Sequence, residues 1–417
     1  MAILSVQEAQ TRILDAFQAV ETEVVPVIHC RGRILAEEIC APGDLPPFDN
    51  SSMDGFAVRA GDVQNAQPSA AARLRVIGDI PAGSAPQFTL QPGQAARIMT
   101  GAPLPDGADA VVPVEETNFA PHLVQASTAE SLPEEVSIFQ PARHGANVRQ
   151  RGADVRQGQP LLQIGRLLQP QDLGILASIG QASVCVFRRP RVALFSSGDE
   201  LVQPGQTLGP GQIYDSNQYV LAAMLEREGA QVIRLGTAPD DPGQIEKLLA
   251  QAIDAQADVI VTSAGVSVGA FDFVRQVIES QGSLNFWKVN MRPGKPLAFG
   301  TFRGTPLVGL PGNPVSAFVG CLVFVLPVIY KLAGRELTFP RQEKAILAQP
   351  IESDGRESYL RAIVRDENGK LVARLTGHQG SGNLYSLVQA NALLIVPSGV
   401  KSLPSDSEVN VWFFERE

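Results

Sequence analysis

Between residues 188 and 335, short apolar stretches alternate with stretches whose apolar residues recur at helical spacing. This alternation constrains the fold more than any other feature of the chain. Arg191–Ser196, Gln231–Leu235, Asp258–Thr262 and Thr305–Leu310 are expected to be strands, and Asn217–Glu228, Gly243–Ala255 and Phe271–Ser280 helices. Parallel strands need crossover connections, so this order predicts a doubly wound α/β domain, a parallel sheet with helices on both faces. Ligands of such sheets sit at the carboxyl ends of the strands. The chain's least ordinary segments fall there: Ser196 to Glu200, Asp240-Asp241, Ser263 to Gly269, and Pro311 to Pro314.

A chain of 417 residues exceeds what one hydrophobic core accommodates, so further domains are expected. Residues 46–145 are rich in Pro and Gly, with short β-like runs at Ala95–Met99 and Ala110–Val114, and read as a small β module. The flanking segments 1–45 and 146–187 share helical and hairpin features, which makes the module an insertion into one discontinuous N-terminal domain. Residues 188–335 form the α/β domain. In 336–417, Leu360–Val364, Leu371–Leu375 and Leu393–Val396 read as strands between Asn-Gly and Ser-Gly turns, giving a C-terminal β-barrel-like domain. Ser5 and Glu8 have capping-box spacing for a first helix. The apolar run Val315 to Tyr330 contains Pro327 and is shorter than the ~18–20 residues that span a bilayer, so it is expected to be a buried helix.

Charge narrows the function. With 34 basic and 43 acidic residues the net charge is −9, which argues against a chain built to coat nucleic acid or an anionic membrane. No basic and apolar leader opens it, and its four cysteines are scattered without metal-knuckle spacing, so a reducing cytoplasm is the expected setting. The four histidines are equally dispersed.

Each strand-end segment has a chemical reading beside a plainer one. Gly265, Ser267 and Gly269 precede a helix, where glycines admit an anion close to the backbone and free amides favour phosphate; an ordinary strand-to-helix turn has the same composition. Asp199, Glu200, Asp240, Asp241 and Asp272 all follow expected strands. Carboxylates gathered on one edge repel one another unless a cation intervenes, so together they point to a Mg2+-phosphate site, while each alone is equally a helix cap. Lys288, Arg292 and Lys295 flank two prolines, where fixed cations would hold an oxyanion or simply lie solvated on a turn. Pro311, Gly312, Asn313 and Ser316 form either a second anion-binding turn or a structural cap. Asp54 and Thr100 carry no chemistry on spacing alone.

In chain order, the stretches DLPPFDNSSMDGFAV, ARIMTGAPLPDGADAVVPVEE, ALFSSGDELV, APDD, TSAGVSVGAFD, NMRPGKPLAFG and GLPGNPVSAF resemble the molybdopterin molybdotransferase family, the MoeA and gephyrin E-domain group. The resemblance runs across most of the chain. It implies four domains and an elongated homodimer, with active-site clefts between the α/β domain of one subunit and the β module of its partner. The implied activity is insertion of molybdate into adenylylated molybdopterin with release of AMP, assisted by Mg2+. Carried over by motif, Glu200, Asp241 and Asp272 would handle the metal and the phosphoanhydride, with Asp54 and Thr100 supplied across the dimer. Ser197, Gly198, Asp199, Ser263, Gly265, Ser267 and Gly269 would line the substrate pocket together with Pro311, Gly312 and Asn313. Lys288, Arg292 and Lys295 would neutralise phosphate or molybdate, and Ser316, Arg356, Arg361 and Ser381 would complete an oxyanion site.

Two positions depart from the family pattern. Ala264 stands where Gly is usual and restricts the backbone, and Ala270 occupies a place often acidic. The resemblance further implies transient contact with the molybdopterin adenylyltransferase and with apo-molybdoenzymes. Rival readings are that adenylyltransferase, a nucleotide pyrophosphatase on the same fold, and a scaffold of gephyrin type. The β module and the C-terminal β domain favour the insertase over the first two. The scaffold reading is disfavoured because the extra fused domain and long linker of gephyrin are missing.

Overall fold

The computed structural model of the chain describes residues 3–119, 132–264, 270–336 and 340–414, with the backbone alone at 264 and 270–273. They fall into two compact units, one formed by Met1–Glu37, Ile164–Leu173 and Ser183–Glu417, the other by Glu38–Gln163 and Gly174–Ala182.

The first unit is built on a six-stranded sheet in the order Gln231–Ala238, Arg191–Ser197, Val259–Ala264, Thr305–Pro311, Pro296–Phe302, Gly282–Lys288. Its first four strands are parallel, as the βα alternation requires. Pro296–Phe302 runs antiparallel to both its neighbours, Thr305–Pro311 and Gly282–Lys288, so the sheet is mixed rather than wholly parallel. The reversal has a local cause. Arg303 and Gly304 join two paired strands with φ of 46° and 87°, the left-handed pair that a two-residue hairpin turn demands. No crossover helix fits in two residues.

Period-two alternation explains why both faces are covered. Val192 and Leu194 of the Arg191–Ser197 strand point into one core cluster, Ala193 and Phe195 into the other. The first cluster takes its helical cover from Asn217–Arg227, Pro314–Leu332 and the N-terminal Val6–Leu14; the second takes it from Pro242–Asp254 and Ala270–Gln281. Ser5 caps the N-terminal helix through the reciprocal contact with Glu8.

The helix Pro314–Leu332 has 19 residues, longer than its apolar run suggests. By length and composition it could cross a membrane, but 89% of that apolar window is buried inside the protein. Pro327 has no N–H to offer the Val323 carbonyl one turn back. Cys321–Val325 accordingly take the wider π-helical spacing, and Gln10 Nε2 donates to the Val323 carbonyl at 2.9 Å.

C-terminal to this helix, Glu357–Glu367, Lys370–Leu375, Gln342–Leu347, Glu408–Phe413 and Ala392–Val396 pair in that order, and the last pairs back on the first. The result is a closed barrel, with Leu360, Ala362, Val364, Leu394 and Val411 inside. A two-residue strap, Met291–Arg292, leaves the α/β domain and pairs in parallel with Glu357 and Ser358 of the barrel.

The second unit carries a five-stranded sheet in the order Ala110–Pro113, Gly55–Val58, Gln94–Ile98, Ala72–Ile80, Glu135–Ile138. A bridge from Thr117 to Ile138 joins its ends, and Phe56, Val58, Val112, Val136 and Ile138 fill the interior.

Candidate functional site

The carboxyl ends of the parallel strands are polar and buried. Ser196, Ser197, Thr262 and Ser263 end two adjacent strands, and the hydroxyls of Ser197 and Thr262 have no hydrogen-bond partner among the described residues. Just beyond, Gly198 leaves room for the Glu200 carboxylate, which lies 2.6 Å from where a β-carbon would stand. Asp199 accepts from the Asp240 backbone N–H at 3.0 Å. Burial, then the charges of Asp199 and Glu200, push the Asp240 carboxyl above the usual carboxylate range. Its Oδ1 is buried without a partner among the described residues. Asp241, by contrast, caps the helix Pro242–Asp254 by accepting from Gln244 N at 2.9 Å.

A divalent cation fits this edge in a limited way. A buried, unpartnered carboxylate oxygen beside two further acids is a cation-seeking arrangement. Among the described residues, however, no three Asp, Glu, His or Cys are grouped as a protein-only metal site requires. Mg2+ held by one or two carboxylates, with substrate oxygens and water completing its shell, is compatible with both facts. The Asp272 backbone lies in the helix Ala270–Gln281, its side chain falls outside the description, and Gly265, Ser267 and Gly269 lie outside the described residues.

Two cavities open at this edge. The first, about 490 Å³, is lined by Glu200, Leu201, Ile213, Tyr214, Asp215, Ser216 and Asn217, and by Ser263, Gly312, Asn313, Pro314 and Gly382. Among the described residues, its charged lining groups are both acids, Glu200 and Asp215. Asp215 is buried and accepts from Gln218 N, Gln218 Nε2 and Thr237 Oγ1 at 3.2, 2.8 and 3.1 Å. Sequence reading missed Ile213 to Asn217. Asp-Ser-Asn ahead of a helix looks like a cap and no more, and the short pairing of Leu201–Val202 with Ile213–Tyr214 leaves no periodic trace.

The second cavity, about 430 Å³, has the opposite charge. Arg292, Lys295, Arg356 and Arg361 line it with Pro311, Asn313, Ser316, Gln379, Gly380 and Ser381. Arg361 is fully buried in the barrel strand. Its guanidinium donates to Ser386 Oγ and the Gly380 carbonyl, each at 3.0 Å, and no carboxylate pairs with it among the described residues. Burial and then the Arg292 charge pull it down to about 10, so this group lacks a counter-anion. Arg356 is held by Asp354, whose carboxyl that guanidinium depresses to about 2, and it also donates to the Met291 carbonyl at 3.3 Å. Arg292 lies 3.9 Å from Asp354. Lys288 ends the edge strand, exposed, and does not line this cavity. Ser197, Gly198 and Asp199 line neither cavity.

In the second unit, Asp54 Oδ1 accepts from both the N–H and the hydroxyl of Thr100, each at 2.7 Å. Those two bonds, the backbone one first, lower the Asp54 carboxyl below its ordinary range. The residues that spacing left silent are thus a bonded pair that keeps one carboxylate ionised.

An acid-edged α/β sheet next to a cationic cavity and a closed barrel is the framework of a ligand-binding protein that takes an anionic group, and comparison with known proteins gives its family. Residues 4–180 match the MoeA N-terminal region (domain I and II), 193–331 a domain described as "Probable molybdopterin binding domain", and 344–414 the MoeA C-terminal region (domain IV). The chain is 39% identical to molybdopterin molybdenumtransferase 2 of Mycobacterium tuberculosis, over 98% of this chain and 99% of that one. It is 41% identical to the molybdopterin molybdenumtransferase of a Nostoc species, over 95% and 89%. The crystal structure of a molybdopterin biosynthesis MoeA protein from Pyrococcus horikosii superposes with a TM-score of 0.83 at 34% identity, covering 100% of both chains. The chain belongs to the MoeA family.

Proposed function

We propose that this chain is a molybdopterin molybdenumtransferase that inserts molybdate into adenylylated molybdopterin and releases AMP. The observation that carries the proposal is Arg361, a buried guanidinium without a carboxylate partner among the described residues, in a cavity shared with Arg292, Lys295 and Arg356. A buried cation that lacks a counter-ion is costly unless an anion arrives, so this cavity suits a tetrahedral oxyanion. Ser316 and Ser381 add hydroxyls to it. The adjoining acid-lined cavity repels bare phosphate and suits the uncharged ring systems of the substrate, whose phosphates would reach toward the cations.

In this reading an oxygen of bound molybdate attacks the adenylate phosphorus, and the pterin phosphate leaves with the bridging oxygen. The dithiolene sulfurs then take their places on molybdenum and displace AMP. Arg292, Lys295, Arg356 and Arg361 offset the charge that builds on the phosphoryl oxygens, from positions fixed before the reaction. Glu200 and Asp240, with Asp272 from the family motif, would hold Mg2+, which supplies charge neutralisation at the phosphoanhydride. Asp241 would act through the helix it caps. Asp54, kept ionised by Thr100, would contribute from a partner subunit of a homodimer. The reading includes a cytoplasmic setting and transient contact with the adenylyltransferase and with apo-molybdoenzymes.

The test is AMP release from purified adenylylated molybdopterin by the native protein and by Asp54→Ala and Asp272→Ala. Release that requires both molybdate and Mg2+, and that both substitutions abolish, is expected. Release indifferent to molybdate would overturn the reading.

A further inference from the structure

The two cavities share a wall, the turn running from Pro311 to Pro314. Asparagine amides hold that turn from both sides. On the cationic side, Asn313 Nδ2 donates to Ser381 Oγ at 3.0 Å, and Val315 N donates to the Ser381 carbonyl at 3.0 Å. On the acid-lined side, Asn217 Nδ2 donates to the Gly312 carbonyl at 2.7 Å and to Ser263 Oγ at 3.3 Å. Ser263 Oγ is in turn 3.1 Å from Ser196 Oγ.

Two strand ends therefore meet at one amide, and a third joins them through Ser263. Asn217, Ser263 and Ser196 are all buried and Gly312 is half-buried, so water on the cavity side replaces this set of bonds only in part. The orientation of the amide is fixed by chemistry as well: a carbonyl only accepts, so the nitrogen must face Gly312. On the far side of the turn, Ser381 Oγ accepts from Asn313, which leaves its own hydrogen available to an anion in the cationic cavity.

We propose that Asn217 is a positioning residue for oxyanion binding: by fixing the Gly312 carbonyl it sets Asn313, and through Asn313 it sets Ser381, in a cavity that Asn217 itself does not line. The proposal rests on the functional reading only in taking the cationic cavity as the oxyanion site. Leaving the half-buried Gly312 carbonyl without the amide that holds it favours a tilt of the turn toward another donor. A tilt carries Asn313 with it.

The experiment uses the full chain and measures the dissociation constants of molybdate and, separately, of inorganic phosphate by titration calorimetry. Native protein is compared with Asn217→Ala and Asn217→Asp, and thermal unfolding is recorded for each. Asn217→Ala is expected to weaken oxyanion binding on the order of tenfold, the lower end of the cost of an acceptor left unpaired, while it stays folded. Asn217→Asp adds a readout that a purely structural role would not move. Protonated, the introduced carboxyl donates to Gly312 and binding approaches native; ionised, it repels that carbonyl and binding falls to the Asn217→Ala level. Glu200 and Asp215, the acids lining the same cavity, favour the protonated form, so the loss is expected as pH rises, measured as a ratio to native at each pH.

Native-like affinity in folded Asn217→Ala, or a flat ratio across pH for Asn217→Asp, would overturn the inference and leave the functional reading intact. Native protein that binds phosphate but not molybdate would overturn the functional reading, while the phosphate series still decides the asparagine. Failure of the native protein to bind either anion would overturn both.

Discussion

The two cavities of the α/β domain touch the same four-residue turn, yet they differ in almost every physical respect. One is walled by acids and by the half-exposed side chains of Ile213 and Tyr214; the other is lined by four cations, one of them buried with no carboxylate partner among the described residues. A ligand with an uncharged ring at one end and phosphate or molybdate at the other is oriented by this contrast alone, before any specific hydrogen bond forms. The contrast also shows where each sign of charge comes from. Of the acids, Glu200 follows the end of a sheet strand and Asp215 precedes the helix Asn217–Arg227. The cations come from the Met291–Pro296 segment and from the barrel.

The comparison breaks most completely if Arg361 is replaced. Arg361→Met removes the buried guanidinium and keeps most of its volume, so the barrel is expected to fold normally while molybdate affinity falls about 10- to 100-fold, in line with a lost charge-assisted bond. Calorimetric titration beside a denaturation curve checks both parts. An unchanged affinity would remove the cationic cavity from the reaction.

A smaller effect sharpens the picture on the same side. Asp354 engages Arg356 and lies near Arg292, competing with any incoming anion. Asp354→Asn is expected to raise oxyanion affinity by a factor of about three, the modest scale of an exposed ion pair. Because its folded pKa is depressed, to about 2, the pair contributes stability above the unfolded value near 3.8 and loses it as pH falls between the two. Acid unfolding of Asp354→Asn should therefore show a shallower dependence across that window.

The smallest effect is expected on the acid side. The Asp240 pKa is raised in the folded chain, so its burial costs stability above the unfolded value of 3.8 and costs nothing below it. Without divalent ions at neutral pH, Asp240→Asn is expected to raise the unfolding midpoint by ~1–2 °C. Added Mg2+ should stabilise native protein and leave this variant unmoved. Equal stabilisation of both by Mg2+ would place the ion elsewhere.

Much of this was legible in the sequence, for reasons that particular residues make clear. Val192 to Phe195 and Val259 to Val261 are buried on both faces, and such strands read as continuous apolar runs with helical stretches between them. The barrel strands at Leu360–Val364 and Leu371–Leu375 announced themselves because Asn368-Gly369 is a turn with φ of 57° and 80°. Arg303-Gly304 makes the same turn without the Asn signature, which is why the antiparallel edge of the sheet went unread and Lys288 was grouped with cations it does not join. Arg361 shows a different limit. Alternation along its strand puts it on the outer face of the barrel, opposite Leu360 and Ala362, where a cation is ordinarily solvated. Its burial comes from Gly380 and Ser386, folded over that face from 19 and 25 residues away, and no local pattern encodes such contacts. Asn217 was silent for a related reason: the chemistry of a helix start is the same whether the amide caps the helix or pins a turn 95 residues on.

The strap Met291–Arg292 bears on how the protein moves. Its backbone is part of the barrel's sheet, and the Met291 carbonyl also accepts from Arg356. A hinge between the barrel and the α/β sheet would have to tear these bonds, so ligand entry by swinging the barrel aside is disfavoured. The strap amides should then exchange with heavy water as slowly as those of the core strands. A cavity held this way loses little conformational entropy when it fills, and the full attraction of its cations is available for binding.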